Sequence, residues 1–151
     1  EVFGEEESGF LDIAGQSAER RVMVLNVAYV ALGGAVGAAL RYLLGIGVVR
    51  LMGQGFWNGF PLAIITVNVI GSFLMGVFVV LAAQRGLTHL SPLVMTGLLG
   101  GFTTFSAFSL ETVTLMERGA FGAAAFYVAV SVIGAVGALM LGMAVTRGFL
   151  A

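Results

Sequence analysis

Cysteine is absent from all 151 residues, which excludes disulfides, thiolate metal sites and cysteine nucleophiles. The one histidine, His89, cannot build a multi-histidine metal site. Charge is scarce too. Only 10% of residues are charged, against about 25% in a soluble globular domain. What fills the chain instead is apolar: 59% hydrophobic residues and a mean hydropathy of +1.05. Such a composition points to a membrane protein of a few spans and one domain, with no room for a separate soluble catalytic domain. Net charge is −1, but six of the eight acids (Glu1, Glu5, Glu6, Glu7, Asp12 and Glu19) precede residue 22. The remainder sets Glu111 and Glu117 against five arginines, so the membrane part is mildly basic.

Residues 1–21 are acidic and without sustained periodicity, and read as a disordered or adventitious extension. They lack the basic start and apolar run of a secretory signal. Residues 22–151 form the membrane domain, in which four uncharged or nearly uncharged segments reach the ~20 residues a bilayer demands. The spans are predicted at about 22–44, 61–83, 92–116 and 120–146, giving an all-α membrane protein. In the first, Gly34, Gly37, Ala38, Arg41 and Gly45 define a small-residue face for close helix approach. Residues 45–60 read as a connection with Trp57 at the interface. Pro61 suits a first helical turn, and Ser91-Pro92 reads as an N-cap followed by proline. Asn68, Gly71, Ser72 and Met75 share the polar face of span two, and Tyr127, Ser131, Gly134, Ala138 and Gly142 that of span four. Four spans place both termini on one side. Arg20, Arg21, Arg85 and Arg147 flank that side, and Arg50 and Arg118 the other, with Arg41 joining them if its side chain reaches. The difference is slight, compatible with insertion in either orientation. An antiparallel homodimer of such a chain would supply the inverted symmetry that transporters often build from repeats.

The third span contains Leu98 to Glu111, LLGGFTTFSAFSLE. Adjacent glycines and adjacent β-branched threonines weaken a helix. The stretch reads either as a broken membrane helix that offers polar backbone near the midplane or as a small-residue packing face. A break at Gly100–Thr104 would leave carbonyls without intrahelical partners, and unwound carbonyls in membrane proteins commonly coordinate a monovalent cation. Asn68 offers amide donors; Thr103, Thr104, Ser106, Ser109, Tyr127 and Ser131 offer hydroxyls. Any one of them could simply bond to the carbonyl one turn back. Together, with almost no acids, they suit a small anion better than a metal or proton path. Phe105 and Phe108 share a helix face, which fits core packing or, through the positive ring edge, an anion contact. Arg41 reads as a snorkelling anchor or as an attractor of anions at a vestibule. Glu111 could cap polar groups, face water or carry protons; its hydroxyl-rich surroundings favour the first.

Three stretches resemble the Fluc/CrcB family of small fluoride channels. Gly33-Gly34-Ala35-Val36-Gly37-Ala38-Ala39-Leu40-Arg41-Tyr42 is similar to the family's first-span GGxxGAxxRY pattern, and Thr66-Val67-Asn68-Val69-Ile70-Gly71-Ser72-Phe73 to its TxxVNxxGSF-like second span. Gly100 to Glu111 resembles its GGxTTFSTFSxE signature, with Ala107 in place of the usual Thr. The resemblance implies a dual-topology antiparallel homodimer, multi-pass in the bacterial inner membrane, that exports fluoride passively. It also implies a structural sodium ion at the dimer centre, held by backbone carbonyls of Gly100 and Thr103. Phe105 and Phe108 would line the fluoride path, with Asn68, Thr104 and Ser106 beside them and Glu111 near. Tyr127 and Ser131 would continue it on span four, where Ala135 stands at a position often carrying a hydroxyl, and Arg41 would sit at the vestibule. Expected partners are thus fluoride, sodium, a second copy of the chain and the lipid bilayer, with no nucleic acid. Two other readings compete. A proton-coupled multidrug exporter would want a membrane-embedded carboxylate in an aromatic pocket, and span one has no acid. A non-transporting membrane subunit explains the small-residue faces but not the broken stretch. No nucleophile–base pair or metal cluster suggests an enzyme.

Overall fold

The computed structural model describes residues 2–52 and 59–150, and the side chains of residues 15–17, 19–51 and 59–150 among them. Trp57 lies outside the described residues. Four segments are long and apolar enough to cross a membrane: Gly15–Leu51, Leu62–Arg85, Thr88–Glu117 and Phe121–Leu150. No strand occurs among the described residues. Helix α1 is Val2–Met52 and α2 is Leu62–Arg85. The third crossing is composite: a 3-10 turn (Thr88–Leu90), a π-helical segment (Pro92–Leu99), a short α3 (Gly100–Phe102) and α4 (Phe105–Glu117). The fourth is α5, Phe121–Leu150. The all-α, four-span architecture with a broken third crossing is thus as the sequence implies.

The structure adds three local features. The backbone of residues 2–21 is helical and continuous with the first span. At its other end α1 runs to Met52, so residues 45–52 are helix and not connection. Gly45 and Gly47 cost helix propensity, but the other residues there are apolar helix formers and Arg50 complements the last turn. At about 1.5 Å per residue, 51 residues extend roughly 76 Å, more than twice a hydrocarbon core, so α1 projects well beyond the bilayer. Finally, Ser91 does not cap. It is helical itself (φ −55°, ψ −40°) and makes no side-chain capping bond, because the 3-10 turn feeds directly into the π segment. The π character persists to the end of that segment, where the Gly100 N–H reaches the Met95 carbonyl five residues back.

The helices pack as two pairs, α1 against the π segment and α2 against α5. Both contacts are backbone to backbone. A Cβ on Gly37 would run into the Leu98 carbonyl, and one on Gly33 into the Leu93 carbonyl. Gly101 lies so close to Gly34 that its Cβ would come within 2.6 Å of that carbonyl oxygen. The face of α1 turned inward is therefore centred on Gly33 and Gly37, whereas Gly45 has open space around it. Across the second pair, Gly76 meets the Leu139 carbonyl and Gly142 the Phe73 carbonyl. Small residues allow this approach, and with no hydrophobic drive between helices in lipid, close packing of this kind supplies the association. The large apolar side chains left exposed, among them Leu32, Val36, Ile133 and Met140, meet the requirements of a lipid-facing surface.

Candidate functional site

The break in the third crossing occupies two residues. Gly100–Phe102 remains helical, and the chain is extended at Thr103 (φ −80°, ψ 160°) and Thr104 (φ −152°, ψ 122°). The predicted break at Gly100–Thr104 is thus displaced toward the threonines. Their β-branched side chains favour extended backbone, while the glycines serve the close approach to α1. Thr103 ends the helix by bonding back to the Leu99 carbonyl twice, through its N–H (3.0 Å) and its Oγ1 (2.9 Å). Thr104 begins the next: its Oγ1 accepts from the Ala107 N–H at 3.2 Å, an N-cap, and lies 3.2 Å from Ser106 Oγ.

Asn68 of α2 pins the break. Its Oδ1 accepts the Thr104 N–H at 2.8 Å and its Nδ2 donates to the Thr104 carbonyl at 3.1 Å. These bonds have a further effect. In an unbroken helix the Thr104 N–H would bond to the Gly100 carbonyl and the Ala107 N–H to the Thr103 carbonyl. Both donors are directed elsewhere, to Asn68 and to the Thr104 hydroxyl. The carbonyls of Gly100 and Thr103 are thereby released from the helical ladder, and Gly100 lies exposed on the protomer surface.

On one side of the break lies a cavity of about 330 Å³. Asn68, Ser72 and Met75 contribute from α2; Thr103, Thr104, Phe105 and Phe108 from the break and α4; Ser131, Ala135 and Leu139 from α5. Phe105 is largely exposed (78%) and its ring centroid is 5.3 Å from that of Phe108. Phe108 in turn stacks on Tyr127 (5.4 Å, 30°), and Phe60 meets the other side of Tyr127 edge-on at 5.8 Å. Tyr127 is completely buried, and among the described residues neither its Oη nor Ser131 Oγ one turn on has a hydrogen-bond partner. An unsatisfied buried hydroxyl costs about 1–3 kcal/mol. Ser131 lines the cavity, where a visitor can take up its hydroxyl, and Tyr127 does not line it.

The remaining predicted residues fall elsewhere. Ser106 is exposed and does not line the cavity; it supports the Thr104 cap. Glu111 is half-buried about one turn beyond Phe108 on the same face of α4, does not line the cavity, and among the described residues its carboxylate caps no polar group. Arg41 is half-buried in a separate groove of about 690 Å³ on the opposite side of the break, with Arg50 and Ala107. Thr104 borders both spaces. Phe60 escaped the sequence reading because it sits in a glycine-rich connection. Its signal was an aromatic placed directly before the proline that opens α2.

Comparison with known proteins bears on what this arrangement serves. The family described as "CrcB-like protein, Camphor Resistance (CrcB)" matches residues 28–143. A protein of Ruegeria sp. (strain TM1040) named "Fluoride-specific ion channel FluC" is 61% identical over 128 residues, covering 85% of this chain and 99% of that protein. Proteins of the same name from Roseobacter denitrificans (66% over 119 residues; 79% and 93% covered) and Jannaschia sp. (69% over 105 residues; 69% and 100% covered) are similar to it as well. With its four spans, its pinned break and this breadth of match, the chain belongs to the CrcB-like family of multi-pass membrane proteins.

Proposed function

We propose that the chain is a fluoride-selective channel that lets cytoplasmic fluoride leave the cell passively across the bacterial plasma membrane. The observation that carries this reading is the cavity beside the break, where hydroxyl and amide donors meet two phenylalanine rings with no carboxylate among the lining residues. A small, strongly hydrated anion gives up its water only for several short donors, and Asn68 and Ser131 line the cavity to offer them. Phe105 and Phe108 narrow the passage and present positive ring edges, which excludes larger halides by width. In this reading transport runs down the fluoride gradient. The names of the relatives support the same substrate.

The working unit in this reading is an antiparallel homodimer, and the released carbonyls of Gly100 and Thr103 are where it would hold a sodium ion. The donor set fits: neutral backbone oxygens, freed from the ladder by Asn68 and by the Thr104 cap, suit a hard monovalent cation. Two protomers would bring two such pairs together. When bound, the ion supplies positive charge near the midplane, which lowers the cost of bringing an anion close. The test is efflux from proteoliposomes with a potassium gradient and valinomycin, loaded first with fluoride and then with chloride. Fast fluoride efflux without chloride efflux is expected; no fluoride efflux from folded protein would refute the reading.

A further inference from the structure

Donor bookkeeping around the cavity singles out a residue that the fluoride pathway so described does not use. Resting on that reading, we infer that Ser72 is an anion-contacting residue of the pathway, its hydroxyl extending the donor line toward the Met75–Leu139 end of the cavity.

Three observations carry this. First, the donors nearest the break are largely spent. Thr103 Oγ1 donates to the Leu99 carbonyl, Thr104 Oγ1 is engaged with Ala107 and Ser106, and Asn68 Nδ2 gives one of its two N–H groups to the Thr104 carbonyl. Second, five intramembrane hydroxyls are satisfied by their own helix: Thr66, Thr103, Ser109, Thr112 and Thr146 all donate to the carbonyl four residues back. Among the described residues Ser72, Thr96, Thr114 and Ser131 make no such bond, and of these four Ser72 and Ser131 line this cavity. A membrane serine that forgoes the bond one turn back is available to bond elsewhere. Third, the register is favourable. Ser72 lies one helical turn beyond Asn68 on the same face of α2. The α2–α5 contacts pair Phe73 with Gly142 and Gly76 with Leu139, while Val69 touches Gly134. Ser72 therefore stands between the levels of Ala135 and Leu139, where α5 carries only apolar side chains into the cavity. Without it, an anion leaving Ser131 and Asn68 in that direction would meet Met75, Ala135 and Leu139 alone.

Two variants in the full-length protein test this. Ser72→Ala should slow fluoride efflux from proteoliposomes by about tenfold, the loss of one charge-assisted donor. The second exploits the absence of cysteine, since Ser72→Cys makes the sole thiol of the chain. A small mercurial should then block fluoride efflux through Ser72→Cys and leave Leu74→Cys untouched, because Leu74 is on the outer surface of the same helix. Unchanged efflux in Ser72→Ala, or a Ser72→Cys channel indifferent to the mercurial, would overturn the inference; if Ser72→Ala does not fold, the thiol experiment decides it. Failure of the unaltered protein to pass fluoride would count against the channel reading instead.

Discussion

Asn68 combines two tasks that sequence inspection separates. It borders the cavity, and it also satisfies both the N–H and the carbonyl of Thr104 at the break. Asn68→Ala would strand both groups in a membrane interior at about 1–3 kcal/mol each. The expected outcome is therefore a lower melting temperature in detergent together with lost fluoride efflux, followed by thermal unfolding and flux on one preparation. Phe108 should behave differently. Its ring bridges Phe105 and Tyr127, and Phe108→Ile preserves apolar bulk while removing the ring edges. Aromatic pairs contribute about 0.5–1.5 kcal/mol beyond burial. The protein should thus stay folded by size-exclusion chromatography while efflux falls to background. Were Phe108 only core packing, its isoleucine variant would conduct normally.

Among the helices, glycines differ in what they permit. Gly37→Ala drives a methyl group into the Leu98 carbonyl and must push α1 off the π segment, with an expected cost of several kcal/mol and loss of monodisperse protein. Gly122→Ala, with open space around it near the start of α5, should be neutral or stabilise by up to about 1 kcal/mol. Comparative thermal melts of the two variants check this. The same contrast explains what was legible in the sequence. Runs free of charge pointed to four crossings, and doubled glycines and threonines announced the break. The inward face of α1 was blurred because Gly33, Gly34, Gly37 and Gly45 look alike on a helical wheel, and only contact with the π segment distinguishes them. The extra reach of α1 to Met52 was hidden by Gly45 and Gly47, whose local helix penalty the continuous helix outweighs. Site residues were legible as types and faces but not as partners. Nothing in the order of residues says that Asn68 will bond to a peptide 36 positions away, or that Ser106 will serve a cap and not the cavity.

For the molecule as a whole, charge placement decides how it sits in the bilayer. Arg85 and Arg147 end α2 and α5 on the side of the termini, which Arg20 and Arg21 of α1 also flank, while Arg50 and Arg118 end α1 and α4 on the other, with Arg41 beside Arg50. That near-balance predicts both insertion orientations in one population, as an antiparallel dimer needs. A reporter fused to the C-terminus should be found on both sides of the membrane. Arg50→Gln with Arg118→Gln should shift it to one, the side with Arg85 and Arg147 turning cytoplasmic. A single orientation in the unaltered chain would argue against the antiparallel assembly. The Asn68–Thr104 pair also has a meaning on this scale. A carboxamide carries the same donor and acceptor as a peptide group, and Thr104 has the dihedral angles of an antiparallel strand. The two bonds therefore amount to a sheet ladder one rung long, with a side chain standing in for the second strand. A bilayer forbids open sheet edges; here the edge at Thr104 is closed as soon as it forms, so a membrane helix changes secondary structure with that peptide fully paired, and the carbonyls left open at the break are those of Gly100 and Thr103.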